Sequence, residues 1–106
     1  MEATQLKELV VDALEELKAV DIRALDVRNR SNFTDFMVIA SGTSDRHTRA
    51  LAQKVIDRVK KAGVQPFGVE GESAGEWVLI DLVDVVVHVM LPQTREFYNL
   101  EKLWAV

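Results

Sequence analysis

Three carboxylates, an imidazole, an indole and a thioether crowd one stretch of this chain, Glu76-Trp77-Val78-Leu79-Ile80-Asp81-Leu82-Val83-Asp84-Val85-Val86-Val87-His88-Val89-Met90. Asp81, Asp84 and His88 are residue types that could move protons or hold a divalent metal. Their spacing argues for something else. Metal-dependent nucleotidyl transfer wants two carboxylates on one strand, usually at i and i+2, to hold metal against a triphosphate. Asp81 and Asp84 stand three apart and straddle a turn, and the next strand offers Val86 and His88 where a further carboxylate would be wanted. No Ser or Cys lies near His88 in sequence, so a hydrogen bond to Asp81 or Asp84 is a better use for it than general-base work. A second candidate is Gly42-Thr43-Ser44, which follows an apolar run and precedes a helical pattern. Its backbone N–H groups could hold an anion at a helix N-terminus, or the loop could simply cap the helix. Arg46, His47 and Arg49 follow in the first turn, where cations oppose the helix dipole. They serve a partner or an anion there, or lie on a solvated face.

The 76–90 stretch reads as two strands joined at Val83-Asp84. Strand side chains alternate between faces. One face carries Val78, Ile80, Leu82, Val85, Val87 and Val89 and is wholly apolar. The other carries Trp77, Leu79, Asp81, Asp84, Val86, His88 and Met90. Neither a pure core nor a pure solvent face would choose that second set, so it reads as a surface for a partner. Trp77 and Met90 form its centre, with Asp81, Asp84 and nearby Glu70 as rim and His88 among them. In the competing reading, Trp77 and Met90 fill a second small core beneath the C-terminal tail. Against that, burying unpaired Asp81 and Asp84 on the same face would be costly, and Trp and Tyr are favoured interface anchors.

The remaining elements position this pair of strands. Leu6, Leu9, Val10, Ala13, Leu14 and Leu17 recur at helical spacing and predict an amphipathic helix over 4–19 with an acidic outer face of Glu8, Asp12, Glu15 and Glu16. Asp21–Val27 reads as a strand, Asn29–Asn32 as a turn, and Asp35–Ser41 as a strand covered on both faces. A second helix opens with Thr43 or Ser44 as N-cap and Asp45 in its first turn, and buries Leu51, Ala52, Val55, Ile56 and Val59. It ends at Gly63 after Lys60 and Lys61. Val64–Glu70 reads as a third strand, at an edge or irregular at its start because of Pro66. Pro92 begins a short helical tail carrying Phe97, Tyr98, Leu100, Leu103 and Trp104. Trp104, Leu100 and Leu103 pack that tail onto the domain, while Tyr98 suits either the core or the partner face. The order helix, strand, strand, helix, three strands, short helix predicts an α+β domain, with a mixed five-stranded sheet and flanking helices.

At 106 residues the chain makes one domain with one sufficient core. It has no cysteine and two scattered histidines, which leaves no thiolate chemistry and no dedicated zinc or copper site. No apolar run spans a bilayer, and the N-terminus has neither a signal peptide nor a transit peptide pattern, so a cytoplasmic protein is expected. Lys plus Arg number 13 against 17 Asp plus Glu, a net charge of −4. That disfavours binding through a nucleic-acid backbone and suits docking onto a basic protein.

Six strings carry a resemblance: Thr34 through Ser44, Arg46-His47, Gly68-Val69-Glu70-Gly71, Trp77 through Asp81, Asp84 through Met90, and Tyr98 through Trp104. Together and in order they closely resemble the ribosomal silencing factor family, the Iojap-like family of bacteria and organelles, over essentially the whole chain. The resemblance implies a nucleotidyltransferase-like fold without that activity, and no cofactor. It implies binding to the large ribosomal subunit through ribosomal protein fourteen, near the intersubunit face. The small subunit would then be kept from joining and translation would fall, notably when nutrients are scarce. The partner-binding residues expected on this basis are Trp77, Met90, Asp81, Asp84, His88, Glu70 and Tyr98. A metal-dependent nucleotidyltransferase or nucleotide binder is the alternative, and a homodimer through the same face is a third possibility.

Overall fold

The computed structural model describes residues 1–104. The elements are α1 (Ala3–Glu16), β1 (Val20–Asp26), β2 (Phe36–Ser41), α2 (Asp45–Lys61), β3 (Gly68–Glu70), β4 (Trp77–Asp81), β5 (Val85–Met90), α3 (Pro92–Tyr98) and α4 (Leu100–Trp104). The five strands form one mixed sheet in the order β1-β2-β5-β4-β3. β2 runs parallel to β5, and the other neighbours are antiparallel. The α+β class and the five-stranded mixed sheet expected from the sequence are both present.

Two helices cover one face of the sheet. The apolar stripes of α1 (Leu6, Val10, Ala13, Leu14) and α2 (Leu51, Ala52, Val55, Val59) close over Val78, Ile80, Val85, Val87 and Val89. This is the wholly apolar face of the 76–90 hairpin, and all five of those side chains are fully buried. Each contributes about 1.5–3 kcal/mol. The tail covers part of the opposite face. Leu100 and Trp104 of α4 pack with Trp77 and Leu25 around a smaller core of Val27, Met37, Ile39 and Met90. β2 lies between the two layers, and all six of its residues are buried.

Three boundaries depart from the sequence reading, each because a backbone group is used locally. The first helix stops at Glu16, not 19, because Lys18 turns left-handed at φ 58. Lys18 N–H then donates to Glu15 O and Ala19 N–H to Leu14 O, which closes the helix end as a glycine usually would. The third strand shrinks from 64–70 to Gly68–Glu70. Gly63 takes φ 89, and Val64 N–H is spent on Val59 O as part of the α2 cap. The tail is two helices, split at Asn99, whose φ of 47 and ψ of 55 interrupt the turn.

Candidate partner-binding site

The face opposite α1 and α2 takes its composition from strand alternation and its shape from register. Trp77 stands opposite Met90, Leu79 opposite His88, Asp81 opposite Val86, and Glu70 opposite Leu79. The Trp77 indole Nε1–H donates to His88 Nδ1 at 3.0 Å. The Tyr98 ring packs against the indole at a centroid distance of 4.8 Å, and Phe97 meets Tyr98 edge-on at 5.0 Å. The indole is therefore held from two sides, by a strand and by the tail. Its own ring remains half-buried. Beside it, Leu79 and Val86 form a half-buried apolar strip, with Asp81 half-buried and Glu70 exposed at its border.

His88 is 5% exposed, and burial pushes its pKa from 6.5 down to about 4. It is neutral at pH 7. With Nδ1 accepting from the indole, the proton sits on Nε2. Between pH 6.5 and 4 the unfolded chain takes up a proton that the folded chain refuses. Stability is thus fully present above 6.5 and declines as pH falls toward 4, by up to about 3 kcal/mol. Urea midpoints measured from pH 7 to 4 should show that decline. His88→Asn, whose amide oxygen can still accept the indole N–H, should flatten the profile over that window. An unchanged slope would mean that other groups carry the acid sensitivity.

The structure brings some of the expected site residues together and removes others. Trp77, Asp81 and Glu70 lie on one face of the sheet by register, and Tyr98 packs on the Trp77 end of it. Met90, expected at the centre of an open patch, is fully buried. The second-core reading is correct for it, because α4 closes over that end of the face. His88 is buried as well, and its partner is Trp77 rather than Asp81 or Asp84. Asp81 is a turn former: its Oδ1 accepts Val83 N–H at 2.8 Å and supports Val83 at φ 72. Asp84 is exposed in the turn, and its carbonyl accepts from Asp35 and Phe36 N–H. Leu79, Val86 and Phe97 were not singled out from sequence. The first two were legible from alternation alone. Phe97, 80% exposed, had only its pairing with Tyr98 to mark it.

The Gly42–Ser44 loop is a cap. Ser44 Oγ accepts His47 N–H at 3.0 Å and Asp45 Oδ1 accepts Arg46 N–H at 2.9 Å. Thr43 N–H donates to His47 Nδ1 at 2.9 Å. Four of the loop's backbone donors, Gly42, Thr43, Arg46 and His47 N–H, are thus already taken by the chain rather than presented to a phosphate. His47 is neither a solvated side chain nor an anion ligand, since its Nε2 reaches Leu17 O at 2.7 Å and ties α2 to the end of α1. Gly42 lets the loop close, because a Cβ there would meet Thr48 N at 2.7 Å. Among the described residues, no three His, Asp or Glu side chains gather as a metal site would require.

Comparison with known proteins adds an independent line. The family described as "Ribosomal silencing factor during starvation" matches residues 1–106. The ribosomal silencing factor of Chromobacterium violaceum is 45% identical over 104 residues, spanning 98% of this chain and 85% of that protein. A mouse protein named "Mitochondrial assembly of ribosomal large subunit protein 1" is 38% identical over 102 residues, spanning 93% of this chain and 45% of that one. A crystal structure of a Chromobacterium violaceum protein superimposes with a TM-score of 0.97 at 45% identity, covering 98% of this chain and 87% of that one.

Proposed function

The chain belongs to the ribosomal silencing factor family, and from that premise we propose that it binds the large ribosomal subunit through ribosomal protein fourteen and blocks the small subunit by occupying its docking space. One observation carries the choice of surface: the Trp77 indole, fixed by His88 and Tyr98, borders an apolar strip with carboxylates at its edge. A side chain already held in place loses little freedom on binding, which favours affinity. Apolar centres with polar rims are ordinary interface anatomy. The net charge of −4 suits a cationic host and speeds encounter with it. The name of the mouse relative points to the same subunit.

The mechanism is occlusion, so no bond is made or broken, and the relatives are named as regulatory factors rather than enzymes. Trp77, Tyr98, Leu79 and Val86 make the apolar contact, and Asp81, Asp84 and Glu70 meet cations. Met90 and His88 act from beneath by supporting the indole. No described helix is long and apolar enough to cross a membrane, and the place of action is the cytoplasm. Co-sedimentation tests the partner. The chain should pellet with isolated large subunits and not with small ones, and should be released as salt rises. Pelleting with small subunits alone, or with neither, would overturn the assignment.

A further inference from the structure

The two edges of the sheet differ. β3 is three residues long, whereas β1 at the other edge is seven, the longest strand of the sheet. An uncovered strand invites pairing with another chain unless it is short, bulged or heavily charged. The irregularity of β1 is confined to Val20–Arg23, its three charges, Asp21, Arg23 and Asp26, are of mixed sign, and the ladder from Arg23 to Asp26 is regular. A groove between β1 and α1 flanks this edge. One hollow of about 460 Å³ is lined by Val11, Glu15, Ala19, Ile22 and Ala24. A second, of about 260 Å³, shares Val11 and Ala24 and adds Lys7, Glu8 and Asp12.

The floor of the groove is apolar and its rim is acidic. Glu8, Asp12 and Glu15 are exposed, and among the described residues none of them forms an ion pair. Glu16, on the same helix, is by contrast held by Arg58 at 2.8 Å and Lys54 at 3.5 Å. The nearby Lys7 ammonium lies over the Phe36 ring, 5.3 Å from its centre.

We propose that the β1 edge takes an extended, lysine- or arginine-rich polypeptide segment as a sixth strand, with alternate apolar side chains over Val11, Ile22 and Ala24 and cations against Glu8, Asp12 and Glu15. In such strand addition, main-chain hydrogen bonds supply affinity and alternate side chains supply specificity. The charges choose the occupant. A second copy would set the same carboxylates against each other, and a phosphate backbone would be repelled. Two strands, β2 and β5, separate β1 from β4, which carries Trp77, so this edge stands or falls independently of the Trp77 face.

The test is an NMR titration of the whole chain with a (Lys-Val)4 peptide, with (Glu-Val)4 and (Lys-Gly)4 as controls. Saturable shifts should appear in the amides of Val20–Asp26 and of α1, with at least tenfold slower hydrogen exchange in β1, and only for (Lys-Val)4. The combined Glu8→Gln, Asp12→Asn and Glu15→Gln variant should bind at least tenfold more weakly while keeping the wild-type spectrum elsewhere. An equal response to (Lys-Gly)4 would reduce the effect to charge attraction and overturn the proposal. So would shifts confined to the Trp77 face, or a free chain that already dimerises through β1.

Discussion

Trp77→Ala should bind isolated large subunits at least tenfold more weakly than the wild-type chain, a loss of about 1.4 kcal/mol or more, while remaining folded. The expected size follows from burial. A fully buried aromatic side chain contributes about 3 kcal/mol, and this ring is half-buried before any partner arrives. The remainder is gained on docking, with little ordering cost because His88 and Tyr98 already fix the ring. The fold should survive because Val78 and Ile80 anchor β4 in the larger core. Circular dichroism would establish the folded state, and a binding isotherm the affinity. Trp77→Phe, which keeps a ring but loses the Nε1–H donor, should fall between the two. A folded Trp77→Ala chain with wild-type affinity would move the interface elsewhere on the molecule.

Gly71→Ala should lower stability by about 3 kcal/mol or more, although the residue is exposed. Gly71 has φ 87, in the left-handed region that costs a residue with a side chain about 1–2 kcal/mol. An added Cβ would also overlap the backbone carbonyl oxygen of Trp77, and a backbone atom cannot swing aside. The turn between β3 and β4 would have to open. Gly63→Ala is the control: φ is 89, but nothing lies within 4 Å of the new carbon, so only the conformational cost of about 1–2 kcal/mol applies. Urea unfolding compares the two variants directly. Equal losses would mean that the overlap is relieved at no cost. Because the crowded carbonyl belongs to Trp77, Gly71→Ala should also weaken large-subunit binding.

Local periodicity carried the sequence reading far. Alternation in 77–90 separated a face that is fully buried under the helices from a mixed one, and the α2 stripe and an N-cap at Thr43 or Ser44 follow from spacing and residue type alone, the structure choosing Ser44. What remained hidden depends on long-range geometry. Met90 and Trp77 share a face in sequence, yet the tail decides which one is covered. The path of the tail is set by the turn at Asn99 and by Arg95, which reaches Glu101 at 2.7 Å and Ser41 at 3.1 Å. That second contact spans 54 residues.

The partner of His88 was hidden for a related reason. Trp77 lies opposite Met90 and His88 opposite Leu79, so the indole and imidazole meet diagonally across two strands, a contact visible only once register is known. Lys18 and Val64 show the same limit at helix ends. Nothing in the lysine signals a left-handed residue, and nothing in the valine reveals that its N–H belongs to a cap. Residue types alone leave His47 open between serving a partner or an anion and lying on a solvated face, because its acceptor, Leu17 O, lies 30 residues away.

The most direct observable is subunit joining. Large subunits saturated with the chain are mixed with small subunits under conditions that otherwise give complete association, and light scattering and sedimentation follow the mixture. Occlusion predicts that the subunits stay separate, with the chain found only on the large one, and that Trp77→Ala restores joining. Fully joined particles that still carry the bound chain would contradict it.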